Sequence, residues 1–317
     1  MKRVFFISFC ILFVYFLFSK LFIFSIDWKS EDALHQQQFN NKYSIFSIIK
    51  PSEIHFCNEQ VPINSDMIWE QLDKELLKNI YWHSNTLLYI KRANRYFPVI
   101  EEILKDYNIP DDFKYLALIE SGLENVVSPA GATGFWQILR GTGRDYGLEV
   151  NKSIDERYHL EKSTVAACKY LQDAYNQFGS WTMAAASYNM GINRSRREIA
   201  KQKTNNFYNL HLNTETSRYI FRILAVKEIL QNPKKYGFVV REKDLYKQLR
   251  YSIVEVDSTV ENLYVFADNL GINYKVLKYY NPWLRTNRLP DESRKLYSIK
   301  IPKDKNRLIF KDTVVSY

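Results

Sequence analysis

Apolar positions recur along most of this chain at helical intervals, and only near its C-terminal end do they alternate. Ile68, Leu72, Leu76 and Ile80 share one face of a helix expected from Met67 to Tyr81, and a longer helix follows from Ser84 to Tyr107. After the start signal Pro110-Asp111-Asp112, the residues Phe113, Leu116, Ala117 and Glu120 fall at i, i+3, i+4 and i+7. Tyr115, Leu118 and Ile119 make the other side apolar too, so this short helix reads as buried, with Gly122 placed to end it. Thr164, Ala167, Leu171, Ala174 and Phe178 line one face of a helix from about Glu161 to Phe178, stopped by Gly179. Ser180 is placed to cap the next helix, which begins at Trp181 and reverses at Gly191. Thr214 is expected to cap a further one, running through Tyr219, Ile223, Val226 and Leu230 to Pro233 and Gly237. Gly141, Gly143 and Gly147 read as a loop. From Arg250 the pattern changes. Tyr251 to Val256 alternates, Val260 to Leu270 and Tyr274 to Tyr280 are helical, and Tyr297 to Pro302 is a second strand. The chain is therefore expected to be mainly α, with a small α/β module at its C-terminal end.

The N-terminus differs from both. Lys2 and Arg3 precede an apolar run from Val4 to Phe18 that resumes from Leu21 to Phe24, the pattern of an export signal. Residues 1–27 thus read as a signal anchor or signal peptide. The anchor is favoured because no small-residue cleavage site stands out, which places the rest of the chain outside the cytoplasm. Residues 28–52 are polar and irregular, and read as a tether.

Composition narrows the partners. With 317 residues, 15% of them aromatic, the chain can bury one substantial core and a smaller one. A net charge of +9 suits a polyanion, whether nucleic acid, anionic lipid or an acidic wall polymer. No nucleic-acid-binding signature is present, and the one basic cluster, Arg194, Arg196 and Arg197, reads as a solvated face. No Cys/His ligand spacing supports a metal site. Cys57 and Cys168 either pair or, since Cys168 fits a helical core position, stay apart.

The stretch Tyr115 to Ile138 carries the candidate chemistry. A carboxyl group carried inward by a buried helix favours its protonated form, which suits Glu120 to a general acid; the alternative is a Glu that only caps or pairs. Ser128 to Gly134 is turn-rich and lets backbone approach a ligand. Phe135 and Trp136 would offer aromatic surface to a sugar, with the Gln137 amide beside them; core filling is the plainer alternative for the Trp. Tyr188 and Asn189 sit just before a chain reversal, and Tyr219 lies one turn inside its helix on the apolar side.

Together these segments resemble the family 1 lytic transglycosylases, whose domain has a lysozyme-like fold. The resemblance rests on four ordered blocks: Glu120-Ser121, Gly134-Phe135-Trp136-Gln137, Ala186-Ser187-Tyr188-Asn189, and Glu215-Thr216-Ser217-Arg218-Tyr219. Phe135-Trp136 replaces the Leu-Met common in the family, and Ser187 stands where Ala is usual. The resemblance implies a catalytic domain over residues 53–240 acting on peptidoglycan glycan strands without a cofactor. Glu120 would be catalytic, Ser121 would orient the substrate's N-acetyl group, Gln137, Tyr188 and Asn189 would bind sugar, and Tyr219 would approach the Glu120 carboxyl. It further implies cleavage of the MurNAc–GlcNAc bond to a 1,6-anhydro end, with one carboxyl serving as acid and then base. A hydrolytic muramidase and a non-catalytic wall-binding protein are the alternatives. Residues 250–303, with Asn281-Pro282 after the second helix, resemble a divergent LysM domain in which Asp257-Ser258-Thr259-Val260 replaces the usual Gly-Asp-Thr-Leu turn. Glycan binding by this module and a purely structural cap are both open.

Overall fold

The computed structural model describes residues 46–290 and 295–304, together with positions 16, 32–34 and 37. The expected signal anchor over 1–27, Phe16 apart, and most of the tether over 28–52 lie outside the described residues. Among the described residues no helix is long and apolar enough to cross a membrane.

A short hairpin, β1 (His55–Phe56) and β2 (Glu59–Gln60), opens the fold. Its turn residues Cys57 and Asn58 both have positive φ, a conformation that helical and alternating patterns do not reveal. Helices α1 (Asp66–Tyr81), α2 (His83–Asp106) and α3 (Phe113–Ser121) follow close to their expected bounds. Gly122 ends α3 in the left-handed region, its N–H returning to the Leu118 carbonyl.

The expected glycine loop is instead a short helix, α4 (Arg140–Asp145), whose Gly143 is buried beside the Arg157 side chain. Helices α5 (Leu160–Phe178) and α6 (Trp181–Met190) come next, with the Ser180 hydroxyl accepting from Met183 N as expected of a cap. The Glu59 carboxylate reinforces that start, accepting from Ser180 Oγ at 2.9 Å, Trp181 N at 2.6 Å and Thr182 N at 2.9 Å. The arginine cluster forms part of a helix of its own, α7 (Ile192–Gln202), whose only buried residue is Ser195. Helix α8 (Thr214–Gln231) is capped by Asn213 rather than Thr214, since the Asn213 side chain accepts from Thr216 N.

Helix α8 is the centre of the bundle. Ile220, Phe221, Ile223, Leu224, Ala225 and Val226 are all buried, so it is apolar around most of its circumference, and it packs on α1, α3 and α6. Cys57 and Cys168 are buried and unpaired, and burial pushes the Cys168 thiol up to about 12.

The C-terminal module pairs β3 (Tyr251–Val256) antiparallel with β4 (Tyr297–Pro302), in a register running from Tyr251 opposite Pro302 to Val256 opposite Tyr297. Helices α9 (Leu263–Asn269) and α10 (Tyr274–Tyr280) complete it. The fully buried Asn281 locks α10 to β4: its Nδ2 donates to the Leu277 and Lys300 carbonyls and its Oδ1 accepts from Lys300 N. The module is not a bead on a string. Ile154 and Tyr158, from the segment before α5, are members of its hydrophobic core. Asp155 N donates to the Trp283 carbonyl at 2.9 Å and Arg285 N to the Ser153 carbonyl at 2.8 Å. The Glu161 carboxylate receives Lys300 and the Tyr251 hydroxyl from the module. Glu161 is held far below the usual carboxylate range: its burial opposes ionisation, but His159 and Lys300 beside it outweigh that cost.

Candidate active site

The C-terminal turn of α3 delivers Glu120 to the middle of the molecule while the helix around it is locked by core contacts. Phe113, Leu116, Ala117 and Leu118 are completely buried, and at the C-terminal turn the Glu120 side chain reaches partial exposure. From α8, the Tyr219 hydroxyl donates to Glu120 Oε1. One turn further along α8, Arg222 Nη2 donates to the Ile119 carbonyl at 2.9 Å and so lies close to the same carboxyl.

Burial raises the Glu120 pKa above the ordinary carboxylate value; the Tyr219 hydrogen bond and the Arg222 charge pull it back, and Glu215 pushes it up again. The net direction is upward. The carboxyl therefore favours its protonated form more than a solvent-exposed Glu does. Replacing Tyr219 with Phe removes a donor that stabilises the carboxylate, so the Glu120 pKa should rise further. A carboxyl-carbon NMR titration reads this directly, and a fall or no movement would show that the hydroxyl does not control the group.

The loop facing α3 is built to hold one shape. Thr133 and Ile138 exchange backbone hydrogen bonds at 3.1 Å in both directions, and Gly134 N donates to the Val126 carbonyl at 2.9 Å. Gly134 has φ +81° and sits so close to the Arg157 carbonyl that a Cβ there would lie 2.0 Å from its oxygen. Arg157 is buried and held by four side-chain hydrogen bonds: Nε and Nη2 meet the Asp155 carboxylate at 2.9 and 2.7 Å, and Nη1 donates to the Gly131 and Ile138 carbonyls at 2.9 and 3.1 Å.

Three of the expected substrate-binding residues bond to this loop. Ser121 is buried, its Oγ 2.8 Å from the Phe135 carbonyl and accepting from Leu123 N at 3.1 Å. Gln137 has φ +47°, and its Nε2 donates to the Gly134 and Val126 carbonyls at 2.8 and 3.0 Å. The Tyr188 hydroxyl donates to the Trp136 carbonyl at 2.8 Å, and burial and the nearby Glu120 charge raise its pKa well above the ordinary value. Asn189 works elsewhere, bridging α6 to the start of α8: Nδ2 donates to Glu215 Oε1 at 3.2 Å and Oδ1 accepts from Thr216 Oγ1 at 2.8 Å.

The aromatic pair needs correcting. Trp136 is wholly buried with its Nε1 donating to Thr164 Oγ1 at 2.8 Å, and Phe135 is buried edge-on against Tyr96. Neither offers a face to a sugar; both anchor the loop in the core.

Beside α3, a cleft of about 280 Å³ opens between α1, α2 and α8, lined by Glu75, Lys78, Trp82, Glu215, Arg218 and Arg222 among others. Glu75 is buried and its charge is matched by Arg218, with Nε and Nη2 at 2.6 and 3.2 Å from its two oxygens. Sequence reasoning missed Glu75, Arg157, Arg218 and Arg222.

Residues 97–211 match the transglycosylase SLT domain, and residues 252–305 match the soluble lytic transglycosylase C-terminal LysM-like domain. The chain carries a transglycosylase SLT domain. The matched range includes Glu120, Ser121, Gln137, Tyr188 and Asn189, and it stops before α8, which supplies Tyr219. The chain is 35% identical over 235 residues to membrane-bound lytic murein transglycosylase D of Escherichia coli strain K12, an alignment spanning 72% of this chain and 50% of that protein. The protein of the same name from Escherichia coli O6:H1 gives the same figures. The chain thus spans about half the length of these relatives. Among solved structures, it is similar to the 70 kDa soluble lytic transglycosylase of Escherichia coli, at TM-score 0.40 and 17% identity over 70% of this chain and 46% of that one.

Proposed function

We propose that this protein is a peptidoglycan lytic transglycosylase that cleaves the β-1,4 bond between MurNAc and GlcNAc without water. The observation that carries this reading is the Glu120 carboxyl itself: largely buried yet partly exposed at the end of a buried helix, bonded by Tyr219, and shifted toward its protonated form. Protonated, it donates to the glycosidic oxygen as the C–O bond breaks. The substrate's own N-acetyl group assists departure. The resulting Glu120 carboxylate then takes the proton of the muramoyl 6-hydroxyl, whose oxygen closes onto the anomeric carbon as a 1,6-anhydro ring. The proton returns to Glu120, and the balance needs no second carboxylate and no water. The Tyr219 hydrogen bond and Arg222 stabilise the carboxylate during the interval in which it is the base.

On this reading Gln137, Tyr188 and Asn189 shape the sugar subsites while fixing the loop and the α6–α8 junction. Ser121 serves the N-acetyl group by holding the Phe135 carbonyl in place. The catalytic unit is assigned to residues 53–240 and a glycan-binding LysM-like module to 250–303, in the cell envelope, with the N-terminal segment at the membrane.

One observation favours a second reading. Glu215 is exposed, lines the cleft and lies near enough to raise the Glu120 pKa, so it could serve a hydrolase as the water-activating carboxylate. Digestion of purified sacculi separates the two. Products from the proposed reaction should be lighter than reducing-end muropeptides by one water, and reducing ends in their place would establish the hydrolase.

A further inference from the structure

Helix α7 takes no part in the Glu120 site, and its charge is strongly one-sided. Arg194, Arg196, Arg197 and Lys201 lie on it and Lys203 caps its end, against a single acid, Glu198. At about 100° per residue, Asn193, Arg196, Arg197, Ala200 and Lys201 share one side of the helix, and all of them are exposed. Ile192, Glu198, Ile199 and Gln202 are half-buried on the other, around the buried Ser195. Glu198 is occupied there, accepting from Gln202 Nε2 at 2.9 Å. The outer side therefore carries cations and small neutral residues but no acid. Among the described residues none of these cations is ion-paired; Arg196 Nη2 donates only to the Gln177 side-chain oxygen, at 3.1 Å.

The connections of α7 indicate what lies near it. Glu59 of the opening hairpin caps the start of α6, and α6 leads through Gly191 into α7. A few residues past Lys203 the turn Phe207–Asn209 packs back on α6, where burial and then the nearby Glu59 charge raise the Tyr208 pKa. The C-terminal side of α7 thus returns to the hairpin through which the chain enters the domain. Just before that hairpin in sequence come the tether and the apolar run. Residues 28–52 span no more than about 90 Å even when fully extended, so a membrane holding residues 1–27 is always at hand. We infer that the outer face of α7 docks on the anionic phospholipid surface of that membrane. The inference rests on the reading of the N-terminal segment as membrane-bound. Guanidinium forks and ammonium groups match headgroup phosphates, and several on one helix side meet a plane of charge together.

The test reconstitutes the full chain in vesicles of phosphatidylcholine alone and of phosphatidylcholine mixed with phosphatidylglycerol. Lysines are acetylated with a water-soluble ester and quantified by mass spectrometry. In the mixed vesicles Lys201 and Lys203 should react at least about fivefold more slowly than in the neutral ones. Lys105 and Lys152, exposed elsewhere, should react alike in both. Raised salt should abolish the difference, and so should Arg196→Glu/Arg197→Glu, which alters only exposed side chains and should melt as the wild type does. Equal reactivity of Lys201 and Lys203 in the two vesicles would overturn the inference. So would protection of the same lysines by lipid-free sacculi and not by vesicles, which would give the face to a wall polymer. Failure to float with neutral vesicles would remove the anchor reading alone. Flotation with the mixed vesicles then decides the face by itself: binding lost in the double variant supports it, and no binding of the wild type ends it.

Discussion

Glu120→Gln should lose at least about 10³-fold in the rate of soluble product release from sacculi while the protein folds as well as, or better than, the wild type. The loss follows from asking one group for two proton transfers, each of a kind that contributes about 10²–10⁴-fold. The stability side follows from linkage. Burial raises the folded-state pKa of Glu120 above its unfolded value. Below the unfolded value the carboxyl is neutral in both states and stability is complete, and as pH rises through the folded value stability is progressively given up. A neutral amide avoids that cost at neutral pH and still offers an oxygen to the Tyr219 hydroxyl. Release assays and thermal melts at two pH values check both halves. Retained activity would remove Glu120 from the chemistry, and a large drop in melting temperature would mean that the carboxylate supports the fold instead.

Gly134→Ala carries the largest structural penalty. A Cβ at this position would lie 2.0 Å from the Arg157 carbonyl oxygen and 2.9 Å from its carbon, both backbone atoms that cannot rotate away. The positive φ adds strain of about 1–2 kcal/mol. Because Arg157 is held on both sides by Asp155 and by the Gly131 and Ile138 carbonyls, relief requires displacing the loop or the turn. The expected destabilisation is about 4 kcal/mol or more, against the ~5–15 kcal/mol that a domain typically has. Chemical denaturation measures it; a loss below about 1 kcal/mol would show that the turn yields easily.

The helices were readable because burial and periodicity coincide: α3 has apolar residues at six of its nine positions, a proline-led start and a glycine stop. Departures from expectation share a cause, which is that they depend on partners distant in sequence or on irregular backbone. Glu75 and Arg218 meet across 143 positions, so neither looks unusual in its own helix. Asp155 and Arg157 lie in a segment with no regular period, where a buried ion pair looks like any polar turn. Trp136 was ambiguous for a different reason, since an aromatic beside a glycine-rich run gives the same local signal whether it faces ligand or core. Here the Thr164 hydroxyl, on α5, decides it. The rim of the site was more legible than its supports. Glu120 stands out in its own helix, Tyr188 and Tyr219 are picked out only by the family resemblance, and Arg222 looks like an ordinary surface residue of α8.

The turn from Ile154 to Tyr158 ties the two halves of the protein to one fate. Its two apolar residues are buried in the C-terminal module, and between them Asp155 holds Arg157, which grips the loop through the Gly131 and Ile138 carbonyls. If the module opens, Ile154 and Tyr158 lose their cover, the turn loosens, and the loop loses its anchor. On the proposed function, melting of the module and loss of activity should therefore go together. Whatever steadies the C-terminal module also steadies the loop that Arg157 grips, and with it, on the proposed mechanism, the surroundings of Glu120.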